Sequence, residues 1–288
     1  MPGTLYVVAT PIGNLADITL RAVHVLGRVE AVACEDTRVG AQLLRHLGLK
    51  KPLIALHAHN EREAAAAVQR LAAGESVACI SDAGTPALSD PGAVLVALAA
   101  AAGHTVVPLP GPCSAVAALS AAGDTLGQGF SFIGFLPAKG GERASALAAV
   151  LADTRTQVLF EAPHRIALLL AALAAAAPGR TVTLCRELSK QFETIVTLPA
   201  RALPAWQAAD AHRERGEFVV VLHALPPAPV QDDLPAAALH SLRVLMRELP
   251  LKQAVALTAE ISGAPRKLLY ARALQERAAE ERGADDAA

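Results

Sequence analysis

Three loops carry the residues of this chain best suited to chemistry. The longest runs from Ser81 to Gly92, Ser-Asp-Ala-Gly-Thr-Pro-Ala-Leu-Ser-Asp-Pro-Gly, after the apolar run Val77-Ala-Cys-Ile80 and before an Ala/Leu/Val segment of helical character. It puts a carboxylate, Asp82, at a strand tip, and Gly84 lets the backbone come close to a ligand. The pattern recurs where Leu5-Tyr-Val-Val-Ala9 leads into Thr10-Pro-Ile-Gly-Asn-Leu15, and where Thr105-Val-Val-Pro-Leu109 leads into Pro110-Gly-Pro-Cys-Ser114. In open α/β sheets, ligands bind beyond the carboxyl ends of the strands, where such loops gather. A single loop of this kind reads as an ordinary strand-to-helix turn. Three at one sheet edge predict a ligand crevice. None matches G-x-G-x-x-G or G-x-x-x-x-G-K-[ST], so nicotinamide and ordinary NTPase chemistry have no motif support.

The elements that must position these loops alternate along the chain. Strand-like runs at 5–9, 29–34, 53–57, 77–80 and 105–109 are spaced by helical patterns at 18–26, 39–47, 61–73 and 93–102. Such alternation predicts right-handed βαβ units and a mostly parallel sheet. After residues 123–129, which read as a linker, strands are predicted at 130–135, 157–161, 182–186, 194–198 and 218–223, with helices near 142–151, 165–176 and 203–213. The strands around Val182 and Ile195 are separated by a loop too short for a helix, so this second sheet is expected to be mixed. Leu225-Pro-Pro-Ala-Pro-Val230 forms a stiff boundary, and helices at 234–247, 252–262 and 264–275 suggest a helix-turn-helix-like unit with a frayed charged end from Glu276. The predicted fold class is therefore two α/β domains, at 1–123 and 129–224, with a cleft between them and a small helical tail at 232–280.

Composition narrows the function classes. The chain has 288 residues, 53% hydrophobic and 18% charged, which suits a well-packed protein of two domains. Only 3% aromatic content argues against broad base-stacking platforms. A net charge of −1 argues against indiscriminate nucleic-acid binding but leaves room for a local basic patch. Cys34, Cys79, Cys113 and Cys185 form no C-x-x-C pair, which favours reduced thiols over a disulfide framework or zinc site. His57 and His59 follow a strand and read as solvated or hydrogen-bonded, so no metal is expected. The N-terminus has no basic n-region before its first strand, and no apolar stretch of membrane-spanning length is uninterrupted. The expected location is cytoplasmic.

Taken in order, the loops resemble one family. Thr10-Pro-Ile-Gly-Asn-Leu, Glu35-Asp-Thr-Arg38, Ser81-Asp-Ala-Gly-Thr-Pro86, Pro108-Leu-Pro-Gly-Pro-Cys113 and Gly134-Phe-Leu-Pro-Ala-Lys139 are similar to the signature of the tetrapyrrole methylases, the class III S-adenosylmethionine methyltransferases. The resemblance is strongest to the members acting on small-subunit ribosomal RNA, and reaches Leu249-Pro-Leu-Lys252 and Tyr270. One motif departs: Leu159-Phe-Glu-Ala-Pro-His-Arg165 stands where the family usually has Phe-Tyr-Glu-Ser-Pro-His-Arg. Phe160 keeps an aromatic wall without the phenol, and Ala162 lacks the serine hydroxyl.

The resemblance implies 2′-O-methylation of a cytidine ribose in 16S rRNA, within the small ribosomal subunit, by a homodimer using S-adenosyl-L-methionine. It places the cofactor against Asp82, Ala83, Gly84, Thr85, Pro110, Gly111 and Ser114, with Phe135, Leu136, Phe160 and Glu161 around the adenosine. Phe135, Leu136 and Phe160 read equally as core residues. A ribose hydroxyl is a weak nucleophile that a positioned base helps. Glu35, Asp36 and Glu161 are candidates, together with Asp90, His164 and Glu187. Glu35 and Asp36 also fit a helix N-terminal acid pair beside Arg38. For RNA phosphates the candidates are Arg38, Lys139, Arg143, Arg165, Arg186 and Lys190, each in or near a motif loop. Arg266, Lys267 and Arg272 on the tail read either as a second contact or as a solvated face. Two other classes stay open, since fold alone does not set the substrate: methylation of a small molecule or protein side chain, and a non-catalytic RNA-binding factor.

Overall fold

The computed structural model describes residues 3–56, 61–138, 140–226 and 234–285. Strands β1 (Thr4–Val8), β2 (Ala31–Cys34), β3 (Leu53–Ala55), β4 (Val77–Ile80) and β5 (Thr105–Leu109) form an all-parallel sheet in the order β3-β2-β4-β1-β5. Every residue of β2 and β4 is buried, as expected of parallel strands covered on both faces. Successive side chains point to opposite faces. Ala78 and Ile80 join the cluster made with α1 (Leu20–Arg28) and α2 (Thr37–His46), while Val77 and Cys79 join that made with α3 (Glu61–Ala72) and α4 (Ala93–Ala101). The chain thus winds one way from β1 to β3 and reverses from β3 to β5. The loops after neighbouring strands β1 and β4 therefore leave toward opposite faces. Such a switch point opens a crevice at the carboxyl edge of the sheet.

The next helix, α5 (Ser114–Ala122), belongs to the second sheet. Its small residues Ala115, Ala118 and Ala122 pack on Val158, Cys185, Val219 and Val221. That sheet contains β6 (Phe130–Phe135), β7 (Thr156–Glu161), β8 (Thr181–Arg186), β9 (Thr194–Pro199) and β10 (Phe218–Leu222) in the order β6-β7-β10-β8-β9. β6 and β7 are parallel, and the other pairs antiparallel. Its other face carries α6 (Gly140–Ala152), α7 (Pro163–Ala176) and α8 (Leu203–Ala208), which share a core with Leu159, Leu184, Val220 and Leu222. The helix expected over 203–213 stops at Ala208, because Asp210 caps a new 3-10 turn by accepting from His212 N.

The stretch between α5 and β6, expected as a linker, is a fixed strap. Asp124 Oδ2 accepts from Thr156 Oγ1 at 2.6 Å and from Ala224 N at 2.8 Å, while Oδ1 accepts from Leu126 N and Gly127 N. Burial raises the Asp124 carboxyl, but these bonds and His223 outweigh it and hold the group below its ordinary value. A Cβ on Gly127 would meet Thr156 Oγ1 at 2.6 Å, which is why glycine stands there. No disulfide forms among the cysteines. Burial pushes the thiols of Cys79 and Cys185 up to about 12 and that of Cys34 to about 11, which disfavours the nucleophilic thiolate at these three positions.

Met1–Pro226 forms one compact unit and Pro227–Ala288 another. The second contains α9 (Ala236–Glu248), α10 (Leu251–Ser262) and α11 (Arg266–Asp285) around Leu234, Leu242, Val255, Leu269 and Ala273. Its α10–α11 joint turns at Gly263, which adopts φ +68°. The charged end is helical through Asp285 rather than frayed from Glu276, since Glu276 receives Arg272 one turn back and Arg243 from α9. No helix among the described residues is long and apolar enough to cross a membrane.

Candidate functional site

The crevice is built on one backbone junction. Thr10 N donates to Gly84 O at 2.8 Å and Gly84 N to Thr10 O at 3.0 Å, joining the loops after β1 and β4 at the switch point. The buried Thr10 hydroxyl donates to Ser81 O at 3.0 Å, Ser81 Oγ to Gly84 O at 2.8 Å, and Thr85 Oγ1 to Pro112 O at 3.0 Å. Three loops are thereby locked together. Gly84 takes φ +89°, and Ala87 and Ser89 take +67° and +66° without being glycine. Left-handed backbone costs an L-residue roughly 1–2 kcal/mol, strain typical of loops held to a task.

Beside this junction lies a cavity of about 480 Å³, within the range of small-molecule sites. The first sheet's loops contribute Ile12, Glu35, Asp82, Ala83, Gly84, Thr85, Leu88, Ser89, Asp90, Cys113 and Ser114. The second sheet contributes Phe135, Phe160, Glu161, Ala162, Pro163, Leu188, Glu217, Phe218 and Val219. Phe135 is 54% exposed and meets Phe160 edge-on at 5.6 Å, while Phe160 rests on Phe132 at 5.0 Å. These rings make a preformed aromatic wall.

The first sheet's loops bring three carboxylates to the cavity, Glu35, Asp82 and Asp90. Half-burial, then the charges of Glu35 and Asp82, push the Asp90 carboxyl up to about 6. Asp82 Oδ1 accepts from Asp36 N at 3.1 Å, tying the tips of β4 and β2. Asp36 itself turns away from the cavity and caps α2, accepting from Arg38 N at 2.8 Å and Arg38 Nη2 at 2.6 Å. The Arg38 bonds hold its carboxyl at about 2. The Glu35–Asp36 pair is thus divided between the cavity and a helix cap.

Glu161, 2% exposed, is the hub of an ion-pair triad. Arg143 Nη2 donates to its Oε2 at 2.8 Å, Arg165 Nε lies 3.0 Å from Oε1, and Ala162 N donates to Oε1 at 2.9 Å. The same guanidinium groups donate to Pro137 O and Leu136 O, fixing the turn after β6. Arg186 is buried and donates to Arg215 O and Phe192 O. Lys190 binds Glu187 and Glu217, each at 2.9 Å, and its stem crosses Gly13, where a Cβ would come within 2.3 Å of Lys190 Cγ. Ser189 Oγ donates to Asp17, so the loop after β8 is fastened to the loop after β1. Arg38 has a side chain 90% exposed. Lys139, His57 and His59 lie outside the described residues.

Of the residues expected around a cofactor, Leu136 is in the second sheet's core, 3% exposed, and does not line the cavity. Pro110 and Gly111 also lie off its lining; Gly111 serves a close approach instead, since a Cβ there would meet Ala9 Cβ at 2.9 Å. Among the other candidate bases, His164 is exposed on α7, and Glu187 Oε1 accepts from Lys190 and Glu217 N. Leu88, Ser89, Leu188 and Val219 line the cavity without having carried any local signal beyond loop or strand character.

Residues 4–204 match the family of Tetrapyrrole (Corrin/Porphyrin) Methylases. The chain belongs to that family. Residues 232–277 match the RsmI C-terminal HTH domain. Among curated relatives of this tetrapyrrole methylase, one from Pseudomonas aeruginosa is 51% identical over 95% of this chain and 97% of its own, and one from Escherichia coli O157:H7 is 47% identical over 95% and 96%. Both are named ribosomal RNA small subunit methyltransferase I. The fold is shared with uroporphyrin-III C-methyltransferase from Thermus thermophilus, solved with S-adenyl homocysteine (TM-score 0.53, 17% identity, 76% of this chain and 97% of that one).

Proposed function

We propose that this tetrapyrrole methylase transfers a methyl group from S-adenosyl-L-methionine to the ribose 2′-oxygen of a cytidine in 16S rRNA. The observation that carries the reading is the cavity at the switch point, lined by Glu35, Asp82 and Asp90 from the first sheet's loops and by Phe135 and Phe160 from the second sheet, in a chain whose relatives are named as rRNA methyltransferases. The residues present fit the cofactor. When bound, it supplies an activated methyl on a cationic sulfonium. Glu35, Asp82 and Asp90 complement positive charge, Phe135 and Phe160 offer faces to a nucleobase, and the Thr10–Gly84 junction brings bare backbone to the ligand. Asp90 is the base we assign to accept the hydroxyl proton, because a carboxyl near neutrality combines availability with basicity. Asp36 and Glu161 have their oxygens committed to arginine partners, so we assign them capping and cleft-wall roles.

For RNA phosphates, Arg38 is our first choice on exposure, and Lys139 and Lys190 are kept as further candidates. Arg143, Arg165 and Arg186 act in this reading as parts of the cleft wall, since their guanidinium groups serve Glu161 and backbone carbonyls. Each sheet with its own core is taken as a domain; α5 packs on the second sheet, so the boundary expected after residue 123 is drawn before Ser114 instead. A cytoplasmic homodimer working on the small ribosomal subunit completes the proposal. A mass in light scattering that stays monomeric at all concentrations would remove the dimer.

Labelled cofactor incubated with small subunits, or with free 16S rRNA, from a strain lacking the modification tests the reaction directly. Label is expected on a cytidine 2′-oxygen. Transfer only to a small molecule or protein would overturn the RNA assignment. Cofactor binding has its own test. Phe135→Ala should weaken calorimetric affinity for S-adenosylmethionine with no change in melting temperature, because the ring is half out of the fold. Gly84→Val should abolish it, since φ +89° is a left-handed conformation that a β-branched residue does not adopt without strain, and the loop must shift to relieve it. Wild-type affinity in both variants would place the cofactor elsewhere.

A further inference from the structure

We propose that a groove between α10 and α11 in the C-terminal unit binds the phosphodiester backbone of an unpaired RNA strand, with Tyr270 stacking on one of its bases. This goes beyond the active-site reading and rests on it only for the choice of RNA as ligand. The groove has a volume of about 340 Å³ and is lined by Lys252, Val255, Ala256, Arg266, Lys267 and Tyr270.

The cations of this unit fall into two sets. Arg243 and Arg272 both converge on Glu276, at 2.8 and 3.2 Å. Lys252, Arg266 and Lys267 have no acidic partner among the described residues, yet all three face one groove. Their positions oppose helix stability. Lys252 stands in the first turn of α10, and Arg266 and Lys267 in the first turn of α11; neither turn contains an acid, and Pro250 gives α10 no side-chain cap. Helix N-termini are themselves positive, so cations there add like-charge repulsion. Three mutually repelling cations around one pocket have no use within the fold. An anion relieves them.

The lining selects the kind of anion. Val255 and Ala256 supply an apolar floor, and Tyr270 a part-exposed ring at the rim. Phosphates spaced along a strand with bases that can unstack match cations beside an aromatic ring. An inorganic anion or a carboxylate would leave the ring without a partner.

The full-length protein would be titrated against a 16S rRNA transcript over a series of salt concentrations. The K252Q/R266Q/K267Q protein should bind more weakly, with the slope of log K against log salt reduced by about 2, at ~0.7 per lost single-strand contact. Tyr270→Ala should weaken binding by about five-fold or more with the slope unchanged. The control R243Q/R272Q should keep the wild-type slope. Melting temperature in the triple variant should stay level or rise, which separates lost contacts from lost fold. Wild-type RNA affinity and slope in the triple variant would overturn the proposal. So would unchanged RNA binding together with lost binding of polyglutamate, which would assign the groove to an acidic protein surface. Failure of the wild type to bind the transcript would count against the RNA reading as a whole, a different result from either.

Discussion

Asp90→Asn should abolish nearly all methyl transfer while making the protein more stable. Removing a positioned base costs ~10²–10⁴-fold in kcat, and affinity for the cofactor should change far less. Stability moves the other way because the native fold holds this carboxyl near 6 against an ordinary 3.8. A raised acid contributes stability that is complete below its unfolded value and is lost as pH climbs through its folded value. Above about pH 6 the wild type therefore carries the full cost of an ionised, crowded carboxylate, and asparagine does not. A shift of this size corresponds to ~3 kcal/mol before screening, and on the order of 1–2 kcal/mol for a half-exposed group. Urea titrations at pH 7.5 and pH 4 should show the variant ahead at the first and level at the second. The rate profile should lose its acidic limb near 6. Wild-type turnover in Asp90→Asn would move the base to Glu35, another carboxylate lining the cavity.

Glu161→Gln should be the most destabilising single change at the cavity wall. It leaves Arg143 and Arg165 facing each other across a nearly closed site, each side chain only 18% exposed. Breaking a buried pair from one side costs ~3–5 kcal/mol, because the surviving charges stay desolvated without compensation. A surface ion pair would cost ~0–1 kcal/mol, so a denaturation midpoint separates the two descriptions. RNA affinity supplies a second readout. If the arginines served phosphate and merely rested on Glu161, the variant would bind RNA more tightly. We expect no gain, since Arg165 also holds Leu136 O at 2.6 Å and Arg143 holds Pro137 O at 3.2 Å.

The motif loops were legible because local chemistry wrote them. The runs 77–80, 105–109 and 130–135 are followed within two residues by Asp82, Pro110 and Pro137, and the strands end with them. The crevice at the carboxyl edge followed from strand–helix alternation and the three Gly/Pro loops it brings to one edge, and ten of the expected site residues, including Glu35, Asp82, Gly84, Asp90, Ser114, Phe135 and Glu161, line one cavity. The uses of the charges were not legible. Arg143 and Arg165 look like any loop cations until Glu161, 18 residues from one and four from the other, is seen between them. Asp124 looked like part of a linker, because Thr156 and Ala224 are 32 and 100 residues away.

By itself, the sequence determined the elements, their alternation, the glycine and proline loops and the family they resemble, since each depends on residues within a few positions of one another. Only the tertiary structure decided that β10 sits at the centre of the second sheet, that Glu35 and Asp36 part company, that Leu136 is core while Phe135 is wall, and that Lys252 lacks, among the described residues, the acid Arg272 has. The physical reason is range. Propensity and periodicity record how a residue meets its neighbours in the chain, whereas a charge acts on whatever the fold brings within a few ångströms, and that partner has no fixed place in the sequence.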